Sequence, residues 1–120
     1  MAKYVDGFVL PLKKKSIPAY CVVARKMAKL CKQYGALMFC ECAGDDLKAK
    51  MGISFPKLVK AKAGETVLFS FIVYKSRAHR DRVMKKVMAD PRFAKIMAGG
   101  EMPCDIERMS CGGFKTVVDM

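Results

Sequence analysis

Residues 66–74, TVLFSFIVY, are apolar on both alternations: Val67, Phe69, Phe71 and Val73 in one set, Leu68, Ile72 and Tyr74 in the other. Successive side chains of a strand point to opposite faces of a sheet, so such a strand needs cover on both faces. ALMFCECA (36–43) repeats the pattern, with Met38, Cys40 and Cys42 on one face and Leu37, Phe39, Glu41 and Ala43 on the other. That demand limits what the rest of the chain can build.

YVDGFVL (4–10) reads as a first strand closed by Pro11. Ser16 and Pro18 then mark a helix start, and Tyr20, Val23, Ala24, Met27, Leu30, Cys31 and Tyr34 form one apolar stripe up to Gly35. After the strands at 36–43 and 66–74, Ser76 can cap a second helix with the stripe Val83, Met84, Val87 and Met88, ended by Asp90-Pro91. Residues 93–98 add one more turn. RMSCGGFKTVV (108–118) is the last strand, with Gly112-Gly113 as its bend or bulge. The order β-α-β-β-α-β predicts a ferredoxin-like split arrangement, α+β with an antiparallel sheet, in a single domain spanning 1–120. Two helices cover only one face of such a sheet. The other face, also apolar, predicts a homodimer in which two sheets pack against each other. The connection 44–65 is too long for a simple hairpin loop, and its basic character suits a functional segment.

The chain carries 23 Lys and Arg against 11 Asp and Glu, a net charge of +12, and no His but His79. Residues 11–62 hold twelve of the cations and three acids, a surface that attracts anions, phosphates and nucleic acids included. No stretch is apolar enough to span a membrane as a helix. The N-terminal apolar run precedes its lysines, the reverse of a secretory signal, so a cytoplasmic location and reduced cysteines are expected.

Cys40 and Cys42 share a strand face, but tetrahedral zinc wants four ligands at other spacings, and Cys104 and Cys111 do not supply them. Cys21 and Cys31 read as small buried apolar residues. No metal and no cofactor is expected. Glu41 is different: it lies mid-strand beside Leu37 and Phe39, where a carboxylate needs a partner or a raised pKa. Asp6 has the same problem within YVDGFV, and Arg108 and Lys115 are candidate partners. His79 falls among charges, off the apolar stripe. There is no Ser-His-Asp spacing, no dinucleotide fingerprint and no phosphate-cradling glycine loop, Gly99-Gly100 included. Arg25, Lys29 and Lys32 form a basic helix face that could meet RNA, although the RNA-recognition consensus is absent.

YVDGF (4–8), ECAGDD (41–46), SFPKLVKAKAGETVLFSFIVYKSRAHRDRV (54–83), KVMADPR (86–92), MPCD (102–105) and RMSCGGF (108–114) resemble the YbaA-like family of uncharacterised bacterial proteins. The resemblance runs nearly end to end and implies the dimeric α/β-barrel variant of the ferredoxin-like fold. It keeps Glu41, Cys42, Asp90, Pro91, Arg92, Met102, Pro103, Asp105, Arg108 and Gly112-Gly113-Phe114 in matching places. The family tends to have large aromatics at Cys31, Phe71, Cys104 and Cys111, which sets a cysteine cluster aside. The expectation is a cytoplasmic homodimer that binds a small molecule through Glu41, Cys42, Asp105 and Arg108, with 44–65 as a lid. Glu41 would be the acid or base, the candidate catalytic residue if there is catalysis, Arg108 an anion clamp, Asp105 its orienter and Cys42 a wall or thiol. Two alternatives stand beside it: a basic RNA-associated protein, which some family labels tied to signal-recognition-particle RNA suggest, and a partner-binding dimer without a pocket.

Overall fold

The computed structural model describes residues 3–98 and 103–120; Gly99, Gly100 and Met102 of the sequence reading lie outside them. β1 (Tyr4–Lys13) is the hub of the sheet. It pairs antiparallel with β3 (Glu65–Tyr74) from Tyr4↔Tyr74 to Lys13↔Glu65, and with β4 (Ser110–Lys115) from Tyr4↔Lys115 to Val9↔Ser110. β2 (Met38–Ala43) flanks β3 antiparallel, which gives the order β2-β3-β1-β4. This is the ferredoxin-like α+β arrangement expected from the chain order. β1 runs through Pro11, because the proline lacks only one ladder donor, and it extends three residues beyond the expected end.

α1 (Ile17–Gln33) follows a 3-10 turn at Lys14–Ser16. Ser16 stands at the N-cap position, yet its hydroxyl makes no capping bond, since the preceding turn already leads the backbone into the helix. Gly35 ends α1 at φ +113, with its N–H on the Lys32 carbonyl and the Ala36 N–H on the Cys31 carbonyl. That pairing is a Schellman cap, whose left-handed residue favours glycine. A short helix inside the long connection, α2 (Phe55–Leu58), was not foreseen; Ser54 Oγ caps it by accepting from Lys57 N–H. α3 (Arg77–Ala89) is capped as expected, with the His79 N–H donated to Ser76 Oγ at 3.1 Å. Val83 and Val87 are buried, while Met88 is exposed, because one further residue rotates it about 100° off the stripe. α4 (Pro91–Ala98) is longer than the single turn expected and starts on its proline.

The helices α1, α3 and α4 lie on one face of the sheet, where Tyr4, Leu30, Cys31, Ile72, Tyr74, Val83 and Val87 form the main core. The opposite face carries Met38, Phe69 and Phe114, all exposed. Phe55 of α2 joins Phe69, Phe71 and Phe114 around an open groove there, with Phe69 and Phe71 edge to face at 5.8 Å. So the connection 44–64 reaches the outer face through Phe55, and it does not close over Glu41 as a lid.

Gly112-Gly113 forms no bulge; the ladder runs evenly through Gly7↔Gly112 and Asp6↔Gly113. The glycine is needed for another reason. A Cβ on Gly113 would run into the Tyr4 ring, which is itself held under the Arg80 guanidinium at 5.0 Å, whereas one on Gly112 meets nothing nearer than 3.8 Å. Gly113→Ala should therefore destabilise the fold by about 1–3 kcal/mol, as overpacking does, and Gly112→Ala should cost much less. Urea unfolding of the two variants checks the difference.

Candidate functional site

Glu41 sits mid-way along β2 on the helix side of the sheet, opposite Ser70 of β3. From α1 the Tyr20 hydroxyl donates to Glu41 Oε1 at 2.9 Å. Burial pushes the Glu41 carboxyl above its usual range, and the Tyr20 and Ser70 hydroxyls partly restrain it by favouring the charged form. Burial and the neighbouring carboxylate push the Tyr20 phenol well up, so it stays protonated and donates. The three groups face a cavity of about 260 Å³ whose other walls are apolar, among them Phe8, Met27, Phe39, Met84, Phe93 and Ile96. An apolar chamber with one convergent polar cluster can hold a small molecule by shape and fix its orientation by a single hydrogen bond.

The other expected site residues are dispersed. Cys42 follows Glu41 on the strand and so faces the opposite side of the sheet, exposed and opposite Phe69. Asp105 caps the turn Ile106–Arg108, accepting from the Glu107 N–H at 3.1 Å. Arg108 is not the partner of Glu41. It grips Glu65 at the start of β3 with Nη1 to Oε2 at 2.7 Å and Nη2 to Oε1 at 2.9 Å, and Nη2 also reaches the Lys60 carbonyl at 3.1 Å. That grip holds the Glu65 carboxyl down at about 2. Asp105 and Arg108 do share a second cleft with Leu12, Glu65 and Cys104. Pro103 and Cys104 line both hollows, and Ile106 and Met109 face the Glu41 cavity. The segment 103–109 is thus one wall of that cavity, fastened from outside by Arg108.

Asp6 also lacks Arg108 or Lys115: its nearest cation is Arg80, with Nη1 at 3.8 Å from Oδ1. Burial raises its pKa against the pull of Arg80. His79 is a structural residue of the α3 cap; its Nδ1 accepts the Lys75 N–H at 3.0 Å, which requires the neutral ring. Burial and the charges of Lys75 and Arg82 lower its pKa accordingly. Of the basic face, Lys32 donates to the Leu37 carbonyl at 2.9 Å, Arg25 is exposed, and Lys29 lines a cleft between α1 and α4. Among the described residues no group of three or more His, Cys, Asp or Glu is placed to hold a metal ion. No helix among them is long and apolar enough to cross a membrane.

Sequence reasoning missed Tyr20, Ser70 and Glu65. Tyr20 counted as one more residue of an apolar stripe, although a tyrosine there carries a hydroxyl that needs a partner when buried. Ser70, the single polar residue within FSF, was the signal for what opposes Glu41.

Residues 3–106 match the family described as "Protein of unknown function (DUF1428)". The chain belongs to the DUF1428 family. Over 117 residues, 98% of each chain, it is 41% identical to the uncharacterized protein YbaA of Escherichia coli K12, and to the YbaA of Shigella flexneri to the same extent. Solved structures extend the fold beyond this DUF1428 group. SnoaB, a cofactor-independent oxygenase from Streptomyces nogalater, superposes with a TM-score of 0.60 at 13% identity, over 98% of this chain and 96% of SnoaB. A NIPSNAP family protein of unknown function from Agrobacterium tumefaciens gives 0.57 at 15% identity, over 95% and 87% of the two chains. At those identities the likeness is one of fold.

The raised Glu41 pKa gives a pH dependence with a definite sign. Folding favours the protonated carboxyl, so its contribution is fully present below the unfolded value near 4.5 and is lost as pH rises through the folded pKa. Glu41→Gln removes that loss. It should leave stability at pH 4 little changed and raise it at pH 7 relative to the parent, as thermal unfolding across pH would show. Tyr20→Phe should do the reverse, costing about 1.5–3 kcal/mol at pH 7, the usual worth of a hydrogen bond to a charged group, and less at pH 4.

Proposed function

We propose that this DUF1428 protein binds a small, largely apolar molecule in the cavity beside Glu41. The ligand presents one O–H or N–H donor to the carboxylate. The observation that carries this reading is the Glu41–Tyr20–Ser70 cluster at the wall of an otherwise apolar chamber of about 260 Å³. A carboxylate that burial disfavours and that has no cation within salt-bridge reach among the described residues suits ligand binding better than it suits folding. Its raised pKa equips it to take a proton from a bound phenol or enol, which is the one acid–base step the site can perform by itself. SnoaB, with the same fold, is a cofactor-independent oxygenase, and a substrate-deprotonating group is a sensible component of such a site, though the shared fold alone carries no activity. Cys42, Asp105 and Arg108 drop out of ligand contact in this reading; Arg108 acts by holding the 103–109 wall.

The protein works as a cytoplasmic homodimer in this proposal, with two outer sheet faces packed together. Exposed Met38, Phe69 and Phe114, and the groove that Phe69 and Phe114 share with Phe55, support it, since soluble monomers seldom leave so much apolar surface bare on one face. RNA association through Arg25, Lys29 and Lys32 is less well supported, because Lys32 is engaged with the Leu37 carbonyl.

The test uses 1-naphthol as a probe, an apolar ring with one hydroxyl. Saturable binding is expected, weakened about ten-fold or more by Glu41→Gln, in keeping with loss of a charge-assisted hydrogen bond, and blocked by filling the chamber with Ala24→Phe. Equal binding to all three proteins would defeat the reading. Separately, sedimentation should give a dimer at micromolar concentration, and Phe69→Lys should shift it to a folded monomer; a monomeric parent would refute the assembly without touching the cavity.

A further inference from the structure

Three lysines and an arginine line one cleft, and among the described residues only the arginine is paired with an acid. α1 and α4 carry no Asp or Glu, and between them runs a cleft of about 450 Å³ whose rim is Lys26, Lys29, Arg92 and Lys95 and whose floor is Leu30 and Ile96. Among the described residues, Lys26, Lys29 and Lys95 make no salt bridge. Arg92 is fixed in place. Its Nε and Nη2 donate to the two oxygens of Asp90 at 3.0 and 2.8 Å, and the Tyr34 hydroxyl donates to the same carboxylate at 2.6 Å. Asp90 is thereby saturated by three side-chain donors and the Arg92 N–H, and Nη1 of Arg92 remains for another acceptor.

Like charges held together in a concave site repel one another and raise the local concentration of anions. A guanidinium already locked by a carboxylate loses little freedom when it binds a second oxyanion. The apolar floor adds something a bare ion does not use: it accepts the organic part of the ligand.

We propose that the α1–α4 cleft is a binding site for a small organic phosphate, its oxyanion held by Lys26, Lys29, Arg92 and Lys95 and its organic part lying on Leu30 and Ile96. The cations line one hollow of ligand size, and Lys32 at the next turn of α1 is engaged by the Leu37 carbonyl and does not prolong their line into a track. A nucleic-acid backbone wants the track. The site is separate from the Glu41 carboxylate and stands or falls apart from it, although Ile96 contributes to the walls of both hollows.

The experiment is calorimetric titration of the intact protein with 1-naphthyl phosphate, inorganic phosphate and poly(U), at low and at physiological salt. The expected result is one naphthyl phosphate per chain, bound more tightly than inorganic phosphate because of the apolar floor. The paired substitution Lys29→Glu and Lys95→Glu should weaken it by about ten-fold or more, as losing two charge-assisted contacts does. Lys85→Glu with Lys86→Glu on the exposed face of α3 makes the same change in net charge and should leave affinity within about two-fold, because screened charges away from the cleft matter little. Glu41→Gln should also leave it unchanged. Where the charge-reversed protein does not fold by circular dichroism, Lys29→Gln with Lys95→Gln replaces it, with the same loss expected. Absence of saturable binding, equal weakening by both lysine pairs, or poly(U) binding more tightly with the steep salt dependence of many phosphate contacts would each overturn the proposal.

Discussion

The β1–β3 ladder governs the rest of this molecule. It pairs the two strands over their whole length, from Tyr4↔Tyr74 to Lys13↔Glu65, and its register decides which residues share a face. On the helix side it lines up Asp6, Ser70, Ile72 and Tyr74 with the core; on the other side it lines up Val5, Val9, Phe69 and Phe71. A slip of one residue would send one strand's two sets to the wrong faces; the β2–β3 ladder in turn sets Ser70 opposite Glu41. Strand alternation thus creates both the chamber under the helices and the bare apolar face behind it.

Two ion pairs then fix what the ladder leaves loose. Arg108 clamps Glu65 and the Lys60 carbonyl, which fastens the 103–109 segment to the start of β3. Asp90 gathers Tyr34 from the end of α1 and Arg92 from the start of α4, which sets how those helices meet. Both pairs use a bidentate guanidinium, whose planar fork specifies direction as well as distance. They give Asp90, Arg92 and Arg108 a structural role, as the cap of the 106–108 turn does for Asp105. These residues hold the walls of the candidate sites and are not the groups that would touch a ligand in the Glu41 chamber.

Glu41 is the residue at which local sequence and tertiary surroundings conflict. A carboxylate on an apolar strand face is costly, and the fold answers it with two hydroxyl donors and, among the described residues, no cation. Such conflicts are expected at functional positions and are uncommon elsewhere. The α1–α4 cleft poses the same kind of conflict with the opposite sign: among the described residues its three lysines meet no acid.

The strands, α1, α3 and the ferredoxin-like order were legible in the sequence, because alternation and the 3.6-residue stripe are local patterns that backbone geometry imposes directly. The two-faced apolar sheet was legible for the same reason. So was Glu41 as an oddity, and strand parity alone was enough to separate it from Cys42. Partnership was not legible. Arg108 and Glu65 are 43 residues apart, Tyr20 and Glu41 21, and Tyr34 and Asp90 56, and no local pattern announces which buried acid meets which donor. Likewise the cations of α1 and α4 look like two solvated faces until the helices pack and close a cleft between them. Sequence determined the elements and their faces; only the tertiary structure decided which charges and hydroxyls met, because that choice depends on register and helix packing across the whole sheet.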